Sequence, residues 1–433
     1  MPSAPLRTSP QAAAASRDRG DACPGALRLH SAHDGALARV RVPGGVLGLR
    51  QARALGDAAR ELGDGELHLT SRGNVQLRGL ADTCGADLAA ALTAAGLLPS
   101  PAHERVRNVV ASPLSGLDGA GLRDVRPWLV ALDAALCASD AARELSGRFL
   151  FALDDGRADV AGLGADVTLR ATADGGALLG LGAGGEALRV SGEDAPRAAL
   201  IAAETFLEVA RTSGTNAWRV RELALSEGAL LDRVRDALSA GGVDCARQPL
   251  DPVGAARVPA PGVTGDTLAV HAPLGRLTAP QWRELTSVAA GSPLGELRLT
   301  PWRGVVVPVP GLDSAGASQA LGRLGATGLV TDADSPWLRV GACIGRPGCA
   351  KSLADVRADA ARALPEATPG GLPLYWSGCA RRCGHPPGDR IDAVAVADGG
   401  YRLSAAGPGR DDGGAVALDD PARLEAALAA ITP

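Results

Sequence analysis

The chain has 433 residues, enough for about three domains, and its 46% apolar and 21% charged content excludes a fully disordered or collagen-like chain. No run of 18 apolar residues is present, so no transmembrane helix is expected, and a formal net charge of −4 argues against a general nucleic-acid binder. All the basic residues but Lys351 are arginine, and glycine is abundant at 57 residues. No single arginine or glycine is therefore informative by itself.

In chain order, residues 1–22 lack an apolar signal-peptide core and read as a disordered tail. That places the chain, as an expectation, in the cytoplasm, where thiols stay reduced. An alternating strand at Ala36–Val42 is followed by a helical pattern at Leu49–Leu62. A strand pair then bends around a short turn (Glu66–Thr70 with Val75–Leu80), and a second helix covers Ala86–Leu97. The same order returns about 230 residues later: a strand at Thr267–Ala272, a helix at Thr278–Ala290, a strand pair Glu296–Thr300 with Val305–Val309, and a helix at Ser314–Leu324. Pro43 falls on Pro273, Gly45 on Gly275, Leu47 on Leu277, Glu66 on Glu296 and Thr70 on Thr300. The match then slips by one to set Arg72 against Arg303. The chain is thus an internal duplication, and β-α-β-β-α is the order of a ferredoxin-like unit.

The expected class is α+β, with two ferredoxin-like units (23–102 and 263–334), each followed by an α/β domain (103–225 and 335–433), and pseudo-twofold symmetry between the halves. Residues 226–262, rich in Gly, Pro and Ala, read as the linker. Aligning Ala111 with Ala342 sets Ser112 opposite Cys343, so only the C-terminal α/β domain keeps cysteines.

Eight cysteines are present, and four crowd together: Cys343-x5-Cys349, then Cys379-x3-Cys383. Four thiolates suit tetrahedral zinc or an iron–sulfur cluster, and the five-residue gap fits zinc knuckles poorly. Four buried free thiols are the bland alternative. Gly341, Gly345, Gly348, Gly378 and Gly384 flank the cysteines and allow backbone N–H groups to approach sulfur. Cys84, Cys137 and Cys245 have no companions, and Cys23 has no clear role. The Gly180-Leu-Gly-Ala-Gly-Gly185 run matches a dinucleotide fingerprint. The strand-like Glu186–Val190 follows it instead of a helix, so a hairpin turn is expected and no NADH site. The six histidines (His30, His33, His68, His103, His271 and His385) show no convincing ligand spacing.

This cysteine pattern, at the end of a duplicated chain, resembles the cluster signature of the sulfite and nitrite reductase superfamily. Leu69-Thr-Ser-Arg-Gly-Asn-Val-Gln-Leu-Arg78-Gly looks like that superfamily's tetrapyrrole-contacting segment, and Arg105-Val-Arg107-Asn-Val resembles its next block. Within it, DACPGALRLH, GRFLFALDDGRADV, ELRLTPWRGVVVP and WSGCARRCGHP are most similar to the precorrin-3B synthase family of aerobic cobalamin synthesis.

The resemblance implies an oxidoreductase with a [4Fe-4S] cluster on Cys343, Cys349, Cys379 and Cys383. It implies a monooxygenation in which dioxygen hydroxylates precorrin-3A and an acetate arm closes to a lactone. Electrons would come ultimately from NADH through a separate reductase partner, and a mononuclear non-haem iron would meet dioxygen. Arg72, Arg78, Arg107, Arg148 and Arg303 are the expected ligands for substrate carboxylates, because the arginine fork holds carboxylates bidentately. A monomer is expected.

Two departures matter. Leu150 stands where the reductases place a second basic residue after the phenylalanine matching Phe149, which argues against small-oxyanion chemistry. Tyr375 stands where the superfamily often has histidine. The alternatives are a sirohaem-dependent sulfite or nitrite reductase, with Cys383 bridging cluster and haem, and a non-catalytic iron–sulfur carrier.

Overall fold

The computed structural model describes residues 21, 23–251, 258–364, 371–386, 388–407 and 415–429. Its contacts divide the chain into two compact units. One comprises Met1–Cys23, Arg105–Asn108 and Leu122–Ala256; the other comprises Pro24–Glu104, Val109–Gly121 and Arg257–Pro433.

The larger unit holds both ferredoxin-like repeats. In the first, the strand Gly35–Val40, the helix Leu49–Leu62, the strands Leu67–Leu69 and Val75–Leu80, and the helix Gly85–Ala95 follow the expected order. In the second they are Thr267–His271, Ala279–Ala290, Glu296–Leu299, Gly304–Pro308 and Ser314–Ala326. Helix Leu49–Leu62 forms because Ala52, Leu55, Ala58 and Ala59 make one buried stripe at helical spacing. Its first turn is closed by Gln51, whose side chain accepts the Gly48 N–H at 3.0 Å. Gln281 does the same for Thr278 at 2.9 Å, 230 residues on.

Each repeat lends a short strand to the other's sheet. Val46–Gly48 pairs antiparallel with Glu296–Leu299, and Arg276–Leu277 pairs with Leu67–Leu69. Val46 lies opposite Arg298 while Arg276 lies opposite His68, which are the same two positions seen from either copy. This reciprocity is the pseudo-twofold relation. The two helical layers close one core, with Leu47, Leu55, Leu77, Leu277, Leu285 and Leu297 fully buried. Each such leucine contributes ~1.5–3 kcal/mol relative to exposure. Trp282 donates its indole N–H to the Ala52 carbonyl at 2.8 Å, and Gly56 leaves room for its ring.

The strand registers correct one expectation. Ala38 pairs with Leu77, and Leu268 with Val307, so the 230-residue offset runs through the turn without a slip. Arg303 therefore matches Gly73, and Trp302 matches Arg72. Both matched turn positions are left-handed, Gly73 at φ 65° and Arg303 at φ 63°. The identity of Arg-Gly pairs suggested a slip, but backbone conformation decides the equivalence.

The same unit contains the cysteine-bearing domain. Its sheet runs Val340–Ala342, Leu374–Ser377, Arg390–Ala395, Tyr401–Ala406 and Val416–Leu418; the first three strands are parallel and the last two antiparallel. Helix Val356–Ala363 connects the first two strands, and Trp376, Ala393 and Leu403 centre its core.

The smaller unit repeats that plan. Phe151–Asp154 lies parallel to Val167–Ala171, and Ala177–Leu181, Glu186–Val190 and Cys245–Pro249 follow antiparallel. The second domains are therefore duplicated too. The segment 226–262 is not a plain linker: helix Glu227–Ala240 and strand Cys245–Pro249 complete this sheet. Of the expected tail 1–22, all but Asp21 lies outside the described residues. Asp21 is anchored, accepting from Ser146 Oγ at 2.9 Å and the Gly147 N–H at 2.7 Å. The glycine run 180–185 is a hairpin turn, and the Ala183 N–H that a phosphate would need donates to Glu227 at 2.8 Å.

Candidate metal centre and its arginine surround

The four clustered cysteines sit at the carboxyl ends of adjacent parallel strands. Val340–Ala342 and Leu374–Ser377 pair in register, so Cys343 and Gly378 leave the sheet side by side. The Gly378 N–H points at Cys343 Sγ at 3.3 Å, and the Cys343 N–H donates to the Trp376 carbonyl at 2.9 Å. The loop carrying Cys349 is laced to the loop carrying Cys379. Ser352 N–H donates to the Cys349 carbonyl, Leu353 N–H donates to the Gly378 carbonyl, and a side chain at 378 would overlap Ser352. Burial pushes the Cys343 thiol up; the Gly378 and Gly345 N–H groups oppose this, and the charges of Cys383 and Cys379 add to it. The thiols therefore share one neighbourhood.

Zinc fits this arrangement poorly. Four sulfurs at ~2.3 Å around one ion would stand under about 4 Å apart. Among the described residues, no three of these sulfurs fall within 4.8 Å of one another. A cluster with an iron at each corner accepts wider spacing, and N–H groups aimed at sulfur suit it. The donor set thus fits the iron–sulfur group better than a single ion.

Around Cys343 stands a group of arginines. Arg357, at the start of helix Val356–Ala363, faces the Cys343 carbonyl with Nε at 3.4 Å and His68 Nδ1 with Nη1 at 3.2 Å. Burial, then the like charges of Arg303, Arg276 and Arg78, push its guanidinium down to about 10, while Cys343 alone works the other way. Neither Arg357 nor Arg303 has a carboxylate within ion-pair distance among the described residues. Cations crowded together without carboxylate partners are a site prepared for an anion. Arg357 was not singled out in the sequence, because its partners lie 289 and 14 residues away in the chain.

The five expected substrate arginines divide. Arg78 is buried, holds Asp34 with Nε at 2.9 Å and Nη2 at 2.8 Å, and donates to the Gly348 carbonyl at 2.8 Å. It ties the first repeat to the cysteine loop. Arg72 is half-buried in the turn governed by Thr70. Arg303 reaches past Gly275 and Gly341 towards Tyr375. Arg107 and Arg148 belong to the smaller unit. Arg107 is bidentate to Asp133 at 2.8 and 2.7 Å, and Arg148 stacks on Trp218 with its guanidinium 4.8 Å from the ring centre. Leu150 is buried there, its N–H taken by Asp166 at 2.8 Å.

Tyr375 stands between sheet and cysteine loop, and its hydroxyl donates to the Cys383 carbonyl at 2.6 Å. Burial pushes the phenol up to about 12. The other cysteines stand apart from this centre: Cys84 on the first repeat, and Cys23, Cys137 and Cys245 in the smaller unit.

Asp64, Glu66 and His68 bring three ligand atoms within 4.8 Å, but they do not fit a mononuclear iron. Glu66 is engaged by Arg276 through both oxygens. Arg357 can only donate to His68 Nδ1, which puts the ring proton on Nε2 and leaves no lone pair there for a metal. Burial pulls this histidine below its ordinary value, consistent with a neutral ring. A second recess, of about 1130 Å³, lies at the opposite ends of the strands. It is lined mainly by apolar residues such as Val258, Ala269, Val306 and Leu374, and contains none of the four cysteines.

The family model for the nitrite/sulfite reductase ferredoxin-like half domain matches residues 30–95 and 260–321. A precorrin-3B synthase of Sinorhizobium sp. is 29% identical over 398 residues, covering 90% of this chain and 83% of that protein. A ferredoxin–nitrite reductase of Synechococcus elongatus is 28% identical over 389 residues, covering 81% and 74%. The structure of the Mycobacterium tuberculosis NirA protein aligns with a TM-score of 0.64 at 18% identity, over 90% of this chain and 79% of that one.

The chain is thus similar to proteins of the sulfite and nitrite reductase type along most of its length, and the half-domain model matches it twice. The two matched segments are the two repeats derived above from strand register. The four clustered cysteines lie outside the matched segments, on the loops that follow the parallel strands Val340–Ala342 and Leu374–Ser377. No helix among the described residues is long and apolar enough to cross a membrane.

Proposed function

We propose that this chain is an oxidoreductase of the precorrin-3B synthase type, acting on a carboxylate-bearing tetrapyrrole beside a [4Fe-4S] cluster held by Cys343, Cys349, Cys379 and Cys383. The observation that carries this is the arginine group at Cys343: among the described residues Arg303 and Arg357 have no carboxylate partner, and Arg78 and Arg276, each paired with a carboxylate, stand close to Arg357. Such a group suits both a thiolate-bound cluster, which is anionic, and the acid arms of the ring. The cluster, when bound, supplies single electrons, drawn ultimately from NADH through a partner reductase. Dioxygen would supply the hydroxyl at precorrin-3A, with lactone closure by an acetate arm. The chain's own task is to hold the macrocycle by its carboxylates, with Arg357, which has no carboxylate in ion-pair distance among the described residues, as the leading ligand and Arg72 as a second. Support also comes from the Sinorhizobium relative, matched over 83% of its length.

The Synechococcus relative favours a second reading, a sirohaem nitrite or sulfite reductase with Cys383 as the bridge. Against it, Leu150 offers no cation and is packed into the core of its domain. Absorption and EPR spectra of protein purified without air, before and after adding precorrin-3A, separate the two. A strong Soret band in the isolated protein supports the reductase. A broad shoulder near ~400 nm, perturbed by precorrin-3A, supports the synthase. Spectra without a Soret band that ignore precorrin-3A contradict the proposal.

A further inference from the structure

Arg303 is a non-glycine residue in left-handed backbone, at φ 63°, where the first repeat uses Gly73 at φ 65°. The turn itself does not ask for a side chain there. Thr300 N–H donates to the Gly304 carbonyl at 2.9 Å, and Arg303 N–H donates to the Thr300 carbonyl at 3.2 Å. The first repeat closes the same turn with Thr70, Gly73 and Asn74. Left-handed geometry is costly for a branched-off side chain and persists where the surroundings demand it.

The side chain shows what is gained. Its aliphatic part lies over Gly275, where a Cβ would stand 2.8 Å from Arg303 Cδ. Its Nη1 and the Tyr375 ring converge on Gly341, where a Cβ would lie 3.1 Å from the first and 2.9 Å from the second. The Tyr375 hydroxyl in turn donates to the Cys383 carbonyl at 2.6 Å, close against Gly384. Two glycines thus clear a path from the turn of the second repeat to the loop of the most exposed of the four cysteines.

We propose that Arg303 and Tyr375 form a positioning pair for the cluster: the strained arginine brings an unpaired cation to the phenol that holds the Cys383 loop. Arg303 is then not a substrate ligand in the first instance. Its cation stabilises the reduced, more negative cluster, and Tyr375 fixes the Cys383 main chain. A phenol can serve both partners, since its oxygen donates to the Cys383 carbonyl and accepts from the Arg303 guanidinium.

This inference rests on the cluster reading, and Arg303→Gly tests it apart from that reading. Glycine relieves the backbone, so the variant folds, and its thermal midpoint equals or exceeds that of the parent. The pair predicts that its cluster midpoint potential nevertheless shifts to more negative values, that its reduced EPR signal changes, and that Arg303→Lys restores most of the potential. Tyr375→Phe should release iron to a chelator several-fold faster than the parent. An Arg303→Gly protein with parental potential, EPR signal and iron retention overturns the inference, whatever its stability. Absence of iron and sulfide in the parent protein would instead remove the cluster reading itself.

Discussion

The two α/β sheets share one plan and differ in how they finish their loops. In the smaller unit, the strand Phe151–Asp154 ends in a loop that satisfies itself. Buried Asp154 accepts the N–H groups of Gly156, Ala158, Val160 and Ala161, and Asp155 holds Arg157. In the cysteine-bearing domain, the matching strand ends at Ser377, whose hydroxyl is buried without a partner, and then at Gly378 and Cys379. Arg357 and Arg303 lie near Cys343 with no carboxylate in ion-pair distance among the described residues. One sheet closes its loops with aspartate, while the other ends in thiols with arginines beside them. Buried polar groups without partners are costly, and under the proposed function an anionic group would satisfy the second arrangement.

The largest expected effect follows from this difference. Cys379→Ser should remove essentially all bound iron and the shoulder near ~400 nm, and should expose residues 340–360 and 374–395 to hydrogen exchange. Exchange within 151–190 should stay as in the parent. Equal loosening of both sheets would break the comparison. Next in size is Arg78→Met, which leaves Asp34 unpaired and frees the Gly348 carbonyl. Breaking such a buried pair costs about 3 kcal/mol, read as a lower denaturant midpoint, with faster loss of iron. Unchanged stability would show that this link between repeat and loop carries nothing.

A smaller effect is expected of Arg357→Gln, which removes one uncompensated cation. It should weaken binding of an acidic tetrapyrrole about tenfold, or ~1.4 kcal/mol, measured by titration, while the protein itself becomes no less stable. A less stable protein with unaltered tetrapyrrole affinity would make the cation structural.

The last prediction concerns pH. Burial, then Arg303, pushes His271 down to about 4. Its folded value lies below its unfolded value, so the folded state holds fewer protons, and stability is lost as pH falls from about 6.5 towards 4. The loss approaches ~3 kcal/mol at the lower end, and His271→Gln should flatten that part of the profile. A variant profile superimposable on the parent's would exclude the histidine as the cause.

The repeats were legible in the sequence because alternating strands and apolar helical stripes recur at one offset. Helix Leu49–Leu62 lies where its pattern placed it. The grouping of four cysteines on neighbouring loops was legible because four thiols share a short segment. The role of Arg303 was not, since the sequence shows Arg-Gly twice and does not show which residue is left-handed. Nor was Arg357, whose importance arises from neighbours on other strands and helices. Segment 226–262 misled because small residues signal turns as readily as they fill a helix, and its Leu230, Leu231, Val234 and Leu238 are the stripe that docks it.

The central claim is that Cys343, Cys349, Cys379 and Cys383 together carry an inorganic cube beside a group of arginines. Quantifying iron, zinc and acid-labile sulfide in protein purified without air tests it most directly. The account predicts about four iron and four sulfide per chain and no stoichiometric zinc. One zinc per chain without sulfide, or no metal at all, would contradict it.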